Sequence, residues 1–117
     1  MNKADVVELL TESFSKGTSS PFVGVENREE RVRLENEKLL DLIIEPVKVT
    51  ARTNEWVRKF GEFPGEKYEM YVIAGKDQDW LLFDTKTECF SLAKGKLNEE
   101  LILIGFSSDD ALAEWRG

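Results

Sequence analysis

The tightest constraint on the fold lies in the second half of the chain, where short apolar runs are separated by turns too brief for any crossover. Tyr68-Glu69-Met70-Tyr71-Val72-Ile73-Ala74, Trp80-Leu81-Leu82-Phe83-Asp84 and Glu88-Cys89-Phe90-Ser91-Leu92-Ala93 are rich in aromatic and branched side chains. Between them stand only Gly75-Lys76-Asp77-Gln78-Asp79 and Thr85-Lys86-Thr87. A parallel pair of strands needs a connection of about a dozen residues or more, so these three segments pair antiparallel as a meander. Leu101-Ile102-Leu103-Ile104-Gly105-Phe106 reads as a further strand covered on both faces. Ser107-Ser108-Asp109-Asp110 then caps a short terminal helix, Ala111–Trp115.

The first half has a helical texture. Val6, Leu9, Leu10 and Phe14 share one stripe of a helix that Gly17–Pro21 stops. Phe22–Val25 is apolar but too short to decide between strand and loop. Asn27-Arg28-Glu29-Glu30 is an N-cap pattern for a second helix with Val32, Asn36, Leu39, Leu40 and Ile43 on one face. Its remaining positions are a solvated charged face, and Pro46 is expected at or just beyond its end. Val47–Arg52 alternates as a strand. Asn54–Phe60 is expected to be a short helix capped by Thr53 or Asn54, with Trp56, Val57 and Phe60 turned inward, before a turn-rich Gly61, Pro64, Gly65 connection. Helices first and strands after give an α+β domain. N-terminal helices are expected to pack on a mostly antiparallel sheet of four to five strands, with residues 1–117 forming one domain.

Missing side chains narrow the chemistry. The chain has no histidine and one cysteine, which removes the usual general base, the triad and the ligand sets of zinc and iron–sulfur sites. Cys89 is read as a buried, unreactive thiol. The eight glycines never take phosphate-loop spacing, and Gly75 and Gly95 read as turn residues. Asp77-Gln78-Asp79 resembles the start of a calcium loop but lacks the glycine and the closing glutamate that such a loop requires. Carboxylate pairs acting alone remain the one open route to acid–base catalysis, and 23 acids in so short a chain make chance pairs abundant. No enzyme and no cofactor are therefore expected.

The charge points to the kind of partner. Sixteen basic residues against 23 acidic ones leave a formal net charge of −7, which repels nucleic acid and attracts a basic protein, and which equally serves solubility. No apolar stretch nears the ~20 residues of a membrane span, and no secretory leader is visible, so a reducing, cytoplasmic setting without membrane contact is expected.

The order of segments from Tyr68 onward resembles the SUKH superfamily of small bacterial α+β proteins. The strand Tyr71-Val72-Ile73-Ala74-Gly75, the strand Trp80–Asp84, a Thr-Lys-Thr-Glu turn and the strand Cys89-Phe90-Ser91-Leu92 follow its pattern, as does Phe106-Ser107-Ser108 before the last helix. The N-terminal half departs from it, lacking the family's Leu-Pro helix start. The resemblance implies an immunity protein that neutralises a secreted toxin by direct binding. The corresponding expectation is a basic toxin domain contacted by Asp77, Asp79, Trp80, Asp84 and Glu88 on the hairpin loops, with Asp109 and Asp110 near the C-terminal helix. The alternative is a regulatory or adaptor domain that binds a host or phage protein at a sheet edge, and such an edge also suits a homodimer.

Overall fold

The computed structural model describes all residues from Met1 to Gly117. In chain order it contains α1 (Lys3–Ser15), α2 (Arg28–Leu40), β1 (Ile43–Arg52), α3 (Glu55–Phe60), β2 (Lys67–Lys76), β3 (Asp79–Asp84), β4 (Cys89–Gly95), β5 (Leu101–Leu103) and α4 (Ala111–Arg116). The α+β class and the expected meander are both present. Strands β2, β3 and β4 pair antiparallel in sequence order, with Leu82 opposite Val72 on one side and Ser91 on the other.

The sheet does not stay open. β1 pairs antiparallel with β2, β5 pairs antiparallel with β4, and a parallel contact of Ala51 with Leu101 and Arg52 with Ile102 closes the five strands into a barrel. Closure explains why β2 and β3 are buried on both faces. Successive strand side chains point to opposite sides, so Val72 and Leu82 enter the barrel while Ile73, Leu81 and Phe83 face outward. Inside, Ala51, Met70, Val72, Leu82, Ala93, Leu101 and Leu103 pack together with Val57 and Phe63. Outside, Val6 and Leu10 of α1, Leu39 of α2 and Ala111 of α4 cover Ile73, Ala74, Leu81, Phe83 and Phe90. Two buried layers share one sheet.

Pro46 departs from expectation. It does not end α2, which stops at Leu40, but lies within β1. The pairing of β1 with β2 shifts between Ile43 and Val47, so Pro46 falls in an irregular stretch where its missing N–H costs no ladder bond. Ile43, expected on the helix, opens the strand instead.

Gly75 and Gly95 sit at strand ends, not in the turns proper. Their φ angles are +151° and +137°, a region that side-chain-bearing residues rarely adopt. Trp80 explains the pairing: its ring lies over Gly75 and its indole N–H donates to the Gly95 carbonyl at 2.9 Å. A β-carbon at Gly75 would lie 2.6 Å from the Trp80 ring.

Candidate functional site

The acids expected to meet a partner do not gather on one surface. Asp77 is at the tip of the β2–β3 turn, and Asp79 beside it is paired with Lys94 at 2.8 Å. Trp80 is half-buried as the staple just described. Asp84 accepts the Lys86 amide at 2.8 Å and so stabilises its own turn, which Glu88 leaves in the left-handed region at φ 57°. Because β3 separates Asp79 from Asp84 by five residue steps, these two loops stand about 16 Å apart at opposite strand ends.

Glu88 and Asp109 do converge, in a shallow recess that also holds Glu12 and Lys16. Lys16 reaches the Asp109 carboxylate at 3.5 Å, and both side chains are well exposed. Asp110 is turned to internal work. Its side chain caps α4 through the Ala113 amide at 3.1 Å and accepts from the Thr18 hydroxyl at 2.9 Å and the Ser19 amide at 2.7 Å. Burial raises its pKa, but these hydrogen bonds outweigh that effect and hold it below the ordinary carboxylate value. Nearby, the buried Ser13 hydroxyl donates to the Asp109 carbonyl at 2.7 Å and accepts the Ala111 amide at 2.9 Å, joining α1 to the start of α4.

A different surface stands out for lack of cover. The expectation that Trp56, Val57 and Phe60 all turn inward holds only for Val57. Trp56 is 51 % exposed and Phe60 64 %, with ring centroids 5.9 Å apart, and Phe106 is 53 % exposed. Backbone contact brings these residues into one region. The Glu62 amide donates to the Gly105 carbonyl at 2.8 Å, and a β-carbon on Gly105 would lie 3.4 Å from the Trp56 ring. Three large exposed aromatic side chains around one junction are what a protein-binding surface presents, because Trp and other aromatics supply most of the energy of such contacts.

The Lys59 ammonium lies over the Phe60 ring at 5.5 Å, but two acidic side chains beside this junction have no ion-pair partner. Glu62 accepts the Ser107 amide at 2.6 Å, Glu114 accepts the Ser108 hydroxyl at 2.6 Å, and neither forms an ion pair. Burial, followed by the charges of Glu62 and Asp110, pushes the Glu114 carboxyl above its usual value. Glu114 and Asp110 thus titrate apart, yet they form no acid–base pair facing one substrate space. Asp110 lines a recess with Thr18 and Ser19, whereas Glu114 lines a groove with Ile104 and Phe106. Both Asp110 oxygens are already occupied by donors.

Cys89 is partly exposed, not buried, and its thiol lies 3.5 Å from the Thr87 carbonyl. No group of three or more Asp, Glu or Cys side chains is arranged to hold a metal ion, and no helix is long and apolar enough to cross a membrane. Comparison with protein-family models, with curated proteins and with solved structures finds no match.

Proposed function

We propose that this chain is a non-catalytic protein-binding domain that captures a basic protein partner, in the immunity reading a toxin domain, through the surface around Trp56, Phe60 and Phe106. The carrying observation is the exposure of these three aromatic side chains beside carboxylates that no internal cation neutralises. Exposed aromatics provide the energy of contact, and the net charge of −7 speeds encounter with a basic partner. The resemblance of the Tyr68–Ser108 segment order to SUKH proteins supports neutralisation of a toxin by direct binding. A cytoplasmic setting accords with a lone cysteine.

The adaptor alternative needs an open strand edge. The available one is the outer side of β1 before Ala51, since β5 meets β1 only at Ala51 and Arg52. Pro46, an irregular register and the charged Lys48 occupy that edge, which are the usual devices against strand addition. The aromatic surface is therefore preferred.

The test is affinity capture from the cells that carry the gene, run in parallel with wild type and the Trp56→Ser/Phe60→Ser double variant. The expected result is a basic protein retained in stoichiometric amount by wild type alone, whose toxicity the wild type suppresses. Retention of the same protein by both baits would overturn the assignment to this surface.

A further inference from the structure

We infer that the groove beside Phe106 seats one arginine or lysine side chain of the protein partner, its methylene stem against Pro21, Ile104 and Phe106 and its cation on the Glu114 carboxylate. The inference rests on the protein-binding reading above and names the side-chain chemistry that reading leaves open. The groove runs between the Ser20–Pro21 segment, Ile104, Phe106 and the Ala113–Glu114 turn of α4. Its lining combines apolar Pro21, Ile104, Phe106 and Ala113 with Ser19 and Ser20, and Glu114 is the one charged side chain on it. A partly apolar channel with a carboxylate fits a long side chain that has a hydrocarbon stem and a cationic head.

The electrostatics favour a cationic occupant. Only one Glu114 oxygen, Oε2, is engaged inside the molecule, by the Ser108 hydroxyl. Burial raises the cost of ionising Glu114, the Ser108 hydrogen bond offsets part of it, and the charges of Glu62 and Asp110 add to it. An anionic ligand would add to that cost, and a neutral hydrogen-bond donor would offset it only in part. A cation relieves it. The nearest guanidinium by sequence, Arg116, lies at the Ser20–Pro21 wall without pairing with Glu114: it donates to the Ser20 hydroxyl at 2.8 Å and the Pro21 carbonyl at 3.3 Å, stacks on the Phe22 ring at 4.2 Å and reaches Glu35 at 3.7 Å. A bare metal ion is disfavoured because no three carboxylates converge there.

The probe is N-acetyl-arginine amide, compared with N-acetyl-citrulline amide, which has nearly the same shape and no charge. Titration of isotope-labelled protein, followed by backbone amide shifts at neutral pH, reads both location and affinity. The arginine compound is expected to shift Ile104, Phe106, Ala113 and Glu114, and to bind about three- to tenfold more tightly than citrulline, as a partly exposed ion pair allows. Glu114→Gln should abolish that preference while the protein stays folded, and Glu62→Gln should reduce it. No shift in the groove, equal binding of the two compounds, or shifts scattered over the acidic loops would each overturn the inference. None of these results bears on Trp56 and Phe60, whose own test is loss of partner capture when they are changed.

Discussion

Replacing Asp110 with alanine should cost about 2–3 kcal/mol, although the residue is neither apolar nor fully buried. Its side chain is the N-cap of α4, and loss of such a cap costs about 0.5–2 kcal/mol. The same carboxylate gathers the Thr18 hydroxyl and the Ser19 amide, tying the loop after α1 to the last helix. Net hydrogen bonds contribute about 0.5–1.5 kcal/mol each, and partial exposure of this group places the total at the low end of the summed range. For a chain of this length the expected fall in melting midpoint is about 8–12 °C. The pH dependence is the sharper reading. Asp110 has a folded-state pKa below its ordinary value, so its contribution is present above that ordinary value and is lost as pH falls through the lowered one. Urea denaturation of wild type and Asp110→Ala should therefore show a gap at neutral pH that narrows steadily under acid conditions. Asp110→Asn, which keeps one acceptor, should fall between them. A gap under about 0.5 kcal/mol at neutral pH, or one that does not narrow with acid, would refute the reasoning, since ordinary surface substitutions stay within that range.

Further expectations concern other parts of the fold. The side-chain oxygen of Asn36 is buried without a hydrogen-bond partner, so Asn36→Leu should stabilise the protein by about 1 kcal/mol in urea denaturation. Gly95→Ala should destabilise by about 2–3 kcal/mol, because its φ is +137° and the new β-carbon would collide with the Glu100 carbonyl oxygen; a thermal melt reads this directly. Glu114 has a raised folded-state pKa, which makes the folded state relatively less favourable as pH rises through that value. Glu114→Gln should accordingly melt at or slightly above the wild-type temperature at neutral pH and lose that advantage in acid.

Much of the fold was legible because local chemistry and long-range packing agree. The strands β2, β3 and β4 are bounded by short polar turns, and Asn27, Asn54 and Asp110 cap helices as their side chains predict. Barrel closure was not legible, since it depends on two residue pairs, Ala51–Leu101 and Arg52–Ile102, that lie about fifty positions apart and carry no local mark. Pro46 misled because Ile43 and Leu39 continue a helical spacing across the true helix end. The candidate site was the least legible. Trp56 and Phe60 share a helical stripe with Val57, but α3 has only six residues and presents Val57 alone to the barrel. Of the acids favoured on the grounds of loop position, Asp79 is already paired and Asp110 holds the fold, while Asp77 and Glu88 lie in the turns at opposite ends of β3 and do not meet. Which carboxylates lack a cation is a property of the folded surface, and Glu62 and Glu114 have no sequence signal that separates them from the other acids.

The central claim is that exposed aromatic side chains, not the acidic loops, provide the energy of partner binding. The most direct measurement is the dissociation constant of the captured partner for wild type, for Trp56→Ser/Phe60→Ser and for Asp77→Asn/Asp79→Asn, with melting temperatures recorded alongside. Truncating two central aromatic contacts costs about 2–4 kcal/mol or more, so the aromatic double variant should bind at least about 30-fold more weakly at an unchanged melting temperature. The loop variant should change affinity by less than about fivefold, mainly through a slower association rate. The reverse order, with the loop variant failing to bind and the aromatic variant binding as wild type, would contradict the account.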